Sequence, residues 1–398
     1  MEIRPIISTL FRNKTGAILI ALQIALTMAV VVNAVVVIQD RAATMAKPTG
    51  VDDNHLININ VASLADEVDV RAEYEQDLGA IREIPGVQNV AKIETLPLSN
   101  SGSATSYHIS DDPTSPSTNV AYYRVGYHAL ETLGVEITRG RWFRQDEVVF
   151  DPADGSTPKV TVIADFVAQE MFGDEDPVGK YMYTSLGTGI EIIGTYDLMS
   201  RPWYSWGEFY STVMFPVVER NAPVVVRVDP ADRDRMIDTL ETTLAEVDQE
   251  RLVGDAQTLE EVIARTYQRD VAMNRMLTIV MFLVVLITGL GIVGLASFSV
   301  MQRRKQIGTR RAIGAQRFHI VRYFLTENWI VTTFGIVLGL CLTFALNALL
   351  ISEYNLPKLN PVLLPVSVLG LWFVGLAATM GPARTAAGVD PAIATRSI

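Results

Sequence analysis

The stretch MLTIVMFLVVLITGLGIVGLASFSVM, Met276 to Met301, contains no charged residue, and RRKQIGTRRAIGAQRFHIVRYFLTEN, Arg303 to Asn328, follows it almost directly. An α-helix rises about 1.5 Å per residue, so a helix of the first length measures about 39 Å, against a bilayer hydrocarbon core of about 30 Å. These stretches therefore predict a membrane-spanning helix at 276–301 followed by a short basic segment at 302–327.

Three further charge-free stretches of similar length predict membrane helices at 15–39, 328–352 and 359–383. As buried helices of a soluble protein, the four would be unusually long. The first stretch follows Arg4, Arg12 and Lys14, an arrangement also found in secretory signal peptides. Its apolar run exceeds the roughly 7 to 15 residues of a signal-peptide core, so we expect an uncleaved membrane anchor.

Charged residues are distributed unevenly around these stretches. Residues 1–39 carry a net charge of +2, residues 40–275 carry −20 and residues 276–398 carry +7. By the positive-inside rule, three segments are predicted to be cytoplasmic, namely 1–14, 302–327 and 384–398. The large insert 40–275 and the short turn 353–358 are then predicted to lie on the outer side.

The overall composition excludes several classes of protein. The chain has 398 residues, a net charge of −11 and one cysteine, so it cannot be an intrachain disulfide scaffold. A pI near 5.0 argues against a nucleic-acid partner. The mean hydropathy of +0.25 is then an average over two unlike parts, an apolar membrane part and an acidic insert.

The insert alternates strand-like and helix-like stretches, which predicts an α+β domain, in two lobes. Strands are predicted at His55–Ala62, Val87–Glu94 and Val160–Ala164. Helices are predicted at Asp66–Ile84, at Asp165–Phe172 with Asp165 as cap, at Asp229–Val247, and at Ala256–Arg275, which runs directly into the second membrane helix. Segments rich in Ser, Asp, Pro and Gly are predicted to be loops, at Asn100–Asn119 and Asp151–Pro158.

Polar residues within the membrane stretches are uncharged. We expect interhelical hydrogen bonds from Gln23, Thr27, Asn33 and Asn347. The G-x-x-x-G spacing of Gly335 and Gly339 allows close helix approach. Because no ionisable residue lies in any of the four stretches, nothing in them indicates a proton or ion path.

No motif for catalysis, metal binding or ATP hydrolysis is evident in the sequence. GDEDPVGKY, Gly173 to Tyr181, resembles a P-loop superficially, but its spacing is wrong and Tyr replaces the Ser or Thr that binds magnesium, so we interpret it as a structural turn. The histidines lack metal-ligand spacing, at positions His55, His108, His128 and His319. We therefore expect a non-catalytic chain with no cofactor of its own.

The aromatic-rich segment LMSRPWYSWGEFYSTVMF, Leu198 to Phe215, has two interpretations. Aromatic side chains are common core anchors, so the first is packing within one lobe. The second is a contact surface for an outer-side partner or an amphipathic substrate, formed by Trp203, Tyr204, Trp206 and Phe209.

Five segments spread over the chain resemble those of the MacB/FtsX superfamily of ABC transporter permeases. They are QRRKQIGTRRAIGAQRFHIVRYFLTE (302–327), IREIPGVQNV (81–90), LGVEITRGRWFRQDE (133–147), VTVIADFVAQEMFGDEDPVGKYM (160–182) and PARTAAGVDPAIATR (382–396). One helix, a large outer domain and three further helices are also the arrangement of MacB. The resemblance covers nearly the whole chain.

This resemblance implies that the basic segment docks on a separate ABC ATPase, which binds ATP and magnesium. The residues implied in this ATPase coupling are Arg303, Arg304, Lys305, Gln306, Ile307, Gly308, Arg310, Arg311, Ile313, Gly314 and Arg317. A bacterial inner-membrane location is also implied, with the insert in the periplasm and both termini cytoplasmic. Further implied partners are a second permease chain, membrane lipid and, for export, a periplasmic adaptor and an outer-membrane channel.

Two positions depart from the family pattern, because Gln306 and Ile393 stand where family members usually have acids. These departures favour a heterodimer, whose other permease keeps the acids, over a homodimer. The expected function is mechanotransmission, in which ATP hydrolysis on the partner moves the periplasmic domain and expels a periplasmic substrate such as a peptide or an antibiotic. The alternatives are a lipoprotein-releasing permease, an FtsX-like regulator of a cell-wall hydrolase, and a ligand-sensing membrane receptor.

Overall fold

The computed structural model describes residues 14–65, 67–152, 158–248, 250–354 and 358–389. These residues divide into two compact units. One, the helical unit, contains the residues up to Met45 and those from Asp270 onward. The other, the inserted domain, is Ala46–Arg269.

Helices and strands are numbered separately in chain order. The helices are α1 (Lys14–Met45), α2 (Val70–Arg82), α3 (Ala129–Leu133), α4 (Asp165–Phe172), α5 (Arg233–Val247), α6 (Leu259–Thr266), α7 (Gln268–Gln302), α8 (Arg304–Ala312), α9 (Arg317–Tyr354) and α10 (Leu363–Ala387). The strands are β1 (Leu56–Ile59), β2 (Val61–Ser63), β3 (Val87–Lys92), β4 (Ser103–His108), β5 (Ser117–Arg124), β6 (Ile137–Gly140), β7 (Val149–Phe150), β8 (Val160–Ala164), β9 (Tyr181–Tyr183), β10 (Gly189–Tyr196), β11 (Thr212–Phe215), β12 (Val217–Val218), β13 (Val224–Val228), β14 (Arg251–Val253) and β15 (Gln257–Thr258).

Within the described part of the chain, four helices are long and apolar enough to cross a membrane, namely α1, α7, α9 and α10. The α+β inserted domain lies between the first and second of them, which confirms the predicted fold class. The helices do not end where the apolar stretches end. The third membrane helix, α9, already begins at Arg317, because backbone hydrogen bonds continue a helix through charged residues that remain in water.

Helix α1 packs closely against α9 at the two glycines of the G-x-x-x-G pattern. A Cβ atom at Gly335 would lie 2.9 Å from the Ala21 carbonyl oxygen, and one at Gly339 would lie 2.9 Å from Met28 Cβ. The predicted close approach is therefore confirmed, since any larger residue would push the helices apart.

The predicted interhelical hydrogen bonds are also confirmed. Gln23 Nε2 donates to the Ile287 carbonyl oxygen at 3.0 Å, the Thr27 and Thr288 hydroxyls lie 2.6 Å apart, and Asn347 Nδ2 donates to Asn33 Oδ1 at 3.3 Å. Polar side chains thus join α1 to both α7 and α9, where water is not available as an alternative partner.

The first sheet of the inserted domain has the antiparallel order β15-β1-β13-β3. Apolar side chains of α2 and α5 pack with it into one core. At its edge, buried Asp77 on α2 accepts a 2.6 Å hydrogen bond from Arg251 Nη1 and lies 2.9 Å from Lys92 Nζ. The buried Glu73 carboxylate also lies 4.0 Å from Lys92 Nζ and 3.8 Å from Arg251 Nη2, so two buried cations share two buried carboxylates. This cluster joins α2, β3 and β14.

The second sheet has the order β6-β10-β8-β11-β5-β4-β9, and β9 also pairs with β10, so the strands close on themselves. Strand β8 is buried at every position, and its one polar side chain, Thr161, donates a 2.9 Å hydrogen bond to the Met214 carbonyl oxygen. This sheet has its own core, distinct from that of the first sheet.

The prediction that Asn100–Asn119 is a loop is wrong. Strand β4 lies within it, and β5 begins at Ser117, with Ala104 opposite Ala121. The Ser- and Thr-rich composition is typical of turns, but pairing with a central strand decides the local structure here. Of the other predicted loop, residues 153–157 lie outside the described residues.

Several helix ends also differ from the predictions. Asp165 does not cap α4: Ala164 is the N-cap residue, and the Asp165 carboxylate accepts from the Thr138 hydroxyl at 3.0 Å instead. The helix predicted at Ala256–Arg275 begins only at Leu259. There the Thr258 hydroxyl and the Glu261 carboxylate form a capping box. This helix is interrupted at Tyr267 before α7 begins.

The remaining predicted elements are shorter in the structure than in the sequence patterns. Asp69 caps α2 by accepting from Arg71 N and Ala72 N, both at 3.1 Å, so this helix begins later than predicted. Helix α5 likewise begins at Arg233. The strand predicted at His55–Ala62 is divided at Asn60 into β1 and β2, which pair with different strands.

Candidate functional site

The basic segment after α7 forms the short helix α8 and then the first turns of α9. Gly308 lies inside α8 and is buried. Gly314 does end the helix region, because its φ of 103° is a conformation that residues with a Cβ rarely adopt. The segment is therefore two helices joined by one tight turn.

The structure places the predicted coupling residues in three groups. The exposed ones are Arg304, Lys305, Gln306, Arg310, Ile313, Gly314 and Arg317. Ile307 and Gly308 are buried, and Arg303 and Arg311 are half-buried. Ile393 lies outside the described residues. The exposed group offers four cations to a partner, whereas the half-buried arginines are engaged within the chain.

Arg303 is paired with Glu327. Its Nη1 atom donates a 2.9 Å hydrogen bond to Glu327 Oε2, and each side chain is only 12% exposed. Glu327 is not among the site residues predicted from the sequence. Its position beside an apolar stretch was a usable signal, since a carboxylate at such a site requires a cation.

Arg311 joins α8 to the end of α10. Its Nη1 atom donates to the carbonyl oxygens of Ala387 at 3.0 Å and Val389 at 2.8 Å. These acceptors belong to the last turn of a helix, whose carbonyls lack partners inside the helix and attract cations. Ile307 packs beside them with Phe324 and Ala386. Helix α8 is thus attached to both α9 and α10.

In the aromatic segment, Arg201 is completely buried and organises the chain around it. It donates to Asn119 Oδ1 at 2.7 Å and to the Trp206 carbonyl oxygen at 3.2 Å, with its guanidinium 4.9 Å from the Trp206 ring centre. Burial lowers the pKa of Arg201 from its ordinary value. Gly207, with φ of 71°, turns the chain tightly past this guanidinium.

The four aromatic residues predicted as a contact surface differ in how exposed their side chains are. Phe209 is buried, while Trp206 is 51% exposed and meets Trp203 edge-on at 5.7 Å. Tyr204 contacts Tyr267 at 4.9 Å. Packing accounts for Phe209. Trp206 is exposed and Trp203 is half-buried, so the contact surface stays a prediction for these two residues.

The P-loop-like segment contains two residues with positive φ, Gly173 and Gly179. Asp176 Oδ1 accepts from Val178 N at 3.1 Å, which closes a local turn. Among the described residues, no group of three His, Cys, Asp or Glu side chains is placed to hold a metal ion.

Two family models match the chain. The MacB-like periplasmic core domain matches residues 17–243, and the FtsX-like permease C-terminal model matches residues 278–391. The second match contains α8 and the beginning of α9, where the basic segment lies.

Individual relatives are distant in sequence. The chain is 27% identical over 260 residues to the macrolide export ATP-binding/permease protein MacB of Marinobacter nauticus, covering 61% of this chain and 39% of that protein. It is 25% identical over 301 residues to the uncharacterized ABC transporter permease YvrN of Bacillus subtilis, covering 70% of this chain and 71% of that protein. It therefore spans less than half the length of the first relative.

A solved structure also matches. The periplasmic region of MacB from Actinobacillus actinomycetemcomitans aligns with a TM-score of 0.34 and 13% identity, covering 57% of this chain and 98% of that chain. The family assignment depends on the two family models, of which the periplasmic core model alone matches more than half of the residues. The chain belongs to the MacB/FtsX family of ABC transporter permeases.

Proposed function

We propose that this permease converts ATP hydrolysis on a separate cytoplasmic ATPase into movement of its periplasmic domain, and so expels a periplasmic substrate such as a peptide or an antibiotic. The observation that carries the proposal is the attachment of α8. This helix exposes Arg304 and Lys305, while Arg311 and Ile307 fix it to α9 and α10. A displacement of α8 by a docked partner would therefore move the membrane helices as well.

The exposed cations of α8 suit a partner with an acidic groove. Charge complementarity of this kind mainly accelerates and orients association. ATP and magnesium would be bound by that partner, and this chain would supply no catalytic group. We place α8 on the cytoplasmic side because segment 302–327 is rich in Arg and Lys, and such loops are retained in the cytoplasm by the positive-inside rule.

Helix α7 would carry the movement outward. It runs over 35 residues from Gln268 to Gln302, next to α8. Near its other end, Asp270 is paired with Arg41 of α1, so these two helices are joined where each continues toward the inserted domain. A long helix with such a pairing moves as one body, which favours transmission of force over a local rearrangement.

A second permease chain would complete the assembly by packing on α1 and α7. Helix α7 exposes large apolar side chains along its length, including Phe282, Leu290 and Phe298, which either lipid or another permease can cover. Gln306 in place of an acid favours a different permease as the second chain. A periplasmic adaptor and an outer-membrane channel would receive the substrate, with Trp203 and Trp206 as a candidate contact.

Affinity purification of the tagged full-length protein from gently solubilised membranes tests the coupling. We expect an ABC ATPase to co-purify, and the double charge reversal Arg304→Glu/Lys305→Glu to lose it. The matched control is Arg265→Glu/Arg269→Glu, which reverses two exposed cations of the inserted domain and should retain the ATPase.

Retention of the ATPase by the α8 reversal, or its absence from the wild-type complex, would contradict the proposal. The other co-purifying proteins decide the wider role. An adaptor supports export, whereas a wall hydrolase or a captured lipoprotein supports one of the alternatives named above.

A further inference from the structure

A cavity of about 200 Å³ lies between α8 and the first turns of α9. Its polar lining comes from Gln306, Arg310 and His319, and its apolar lining from Ile307, Ile320 and Phe324. The α8 residues among these have the spacing of one helix face, and so do those of α9. The cavity thus lies between one face of α8 and the facing side of α9.

The charge inside the cavity is positive. Arg303 also contributes to the lining, but its charge is neutralised by Glu327. Among the residues that the structure describes, Arg310 forms no salt bridge, and its guanidinium lies 5.3 Å from the centre of the Tyr323 ring, which supports it in position. No Asp or Glu occurs in the sequence from Arg303 to Thr326. The ligand that this lining favours is an anion.

The positions of the apolar stretches lead us to expect the cavity near the lipid headgroups. The apolar stretch of α7 ends at Met301, and that of α9 begins at Asn328, so the cavity is between the ends of two membrane stretches. Ile313 and Phe318 are 83% and 65% exposed beside these cations. Exposed apolar side chains mixed with cations are typical of a segment that lies in the membrane interface.

We propose that this cavity binds the phosphate of an anionic phospholipid headgroup. The Arg310 guanidinium and the Gln306 amide would donate hydrogen bonds to the phosphate oxygens, with His319 beside them. The apolar wall of Ile307, Ile320 and Phe324 would face the glycerol backbone. Basic pockets between membrane helices on the cytoplasmic side are suited to such headgroups.

Gln306 and Arg310 are also among the residues implied in ATPase coupling. Arg304 and Lys305, which the docking test reverses, do not line the cavity, so lipid binding can be tested separately from docking through these two cations. Lipid binding gives the glutamine at position 306 a role that an acid could not fill, since a carboxylate would repel a phosphate. The bound lipid would then fix the distance between α8 and the bilayer surface.

Lipid titration of the detergent-solubilised full-length protein, followed by its thermal unfolding temperature, tests the proposal. Phosphatidylglycerol should stabilise the wild type saturably, and Arg310→Gln should weaken the apparent affinity about fivefold, the effect of one cation near a lipid surface. Arg304→Gln removes the same charge from the same helix outside the cavity and should leave the affinity nearly unchanged. Gln306→Leu is a second variant and should weaken it in the same direction.

Three results would overturn the proposal. Equal losses in Arg310→Gln and Arg304→Gln would indicate diffuse attraction without a pocket. Equal stabilisation by phosphatidylcholine would remove the requirement for an anionic headgroup. Stabilisation by inorganic phosphate that depends on Arg310 would assign the cavity to a free phosphate anion. Co-purification of the ATPase should be measured on the same variants. It shows whether a failure of lipid binding is separate from a failure of ATPase docking.

Discussion

Arg303 at the end of α7 and Glu327 on α9 form a hydrogen-bonded ion pair of 2.9 Å across the base of the basic segment. Both side chains are 12% exposed, so each depends on the other for its compensating charge. The pair closes the loop that contains α8, and it holds the two membrane helices together at this end.

Replacing Glu327 by Ala should destabilise the protein by about 3 kcal/mol, because it leaves the Arg303 cation buried without its carboxylate. Thermal unfolding in detergent measures the change. Glu353→Ala, on the same helix but exposed, is the control and should change stability by less than about 0.5 kcal/mol. In a double-mutant cycle, the double variant Arg303→Ala/Glu327→Ala should lose less stability than the sum of the losses in the two single variants. Additive losses would show that the pair is not coupled.

Replacing Asp77 by Ala should destabilise the inserted domain by about 3 kcal/mol, since two buried cations, Lys92 and Arg251, lose the nearer of their two shared carboxylates. The other, Glu73, lies at 4.0 Å and 3.8 Å from them. Chemical denaturation of the full-length protein, followed by tryptophan fluorescence, measures it. Glu75→Ala removes an exposed carboxylate from the same helix and should have little effect. Equal effects of the two substitutions would argue against a structural role for the buried cluster.

The Arg141 guanidinium hydrogen-bonds Glu147 and lowers the pKa of that carboxyl to about 2. The stabilisation is fully present above the ordinary Glu pKa of about 4.3, and it is lost as the pH falls toward 2. Glu147→Gln should therefore cost about 2 kcal/mol at pH 7 and nearly nothing close to pH 2. Urea denaturation across this range measures the difference, with Asp146→Asn as an exposed control. A difference that does not vary with pH would contradict the assignment.

A methyl group at Gly339 should separate α1 from α9, because its Cβ atom would lie 2.9 Å from Met28 Cβ. We expect Gly339→Ala to lower the unfolding temperature in detergent. The matched control is Gly370→Ala on α10, where no atom lies within 4 Å of the added Cβ atom. That change should be neutral or stabilising by up to about 1 kcal/mol, because Ala favours a helix more than Gly does. The opposite order of stabilities would mean that the glycines are not at the interface.

The features that could be predicted from the sequence are those that depend on the composition of a stretch or on the spacing of neighbouring residues. A charge-free stretch of sufficient length predicts a membrane helix, and the spacing of Gly335 and Gly339 predicts a close crossing. Val160–Ala164 was correctly predicted as a strand, because the short stretch is mostly apolar and β-branched. The exposure of Arg304 and Lys305 also follows from simple charge.

Pairings between distant residues could not be predicted in this way. Arg303 and Arg311 look equivalent to their neighbours in the sequence, yet one is paired with Glu327 and the other with the carbonyls at the end of α10. The same limitation applies to Asn100–Asn119, where strand pairing outweighs a turn-like composition. In each case the deciding contact is made by a residue far along the chain.

The contacts of Arg311 also bear on how the protein is made. Synthesis proceeds from the N-terminus, so α8 is complete long before its acceptors at Ala387 and Val389 exist. Only after the last membrane helix has been inserted does α8 acquire its final position. An unfinished or prematurely terminated chain would carry the same basic residues without holding them in place. Correct presentation of α8 would thus report that synthesis has passed Val389 and that the last membrane helix is in place.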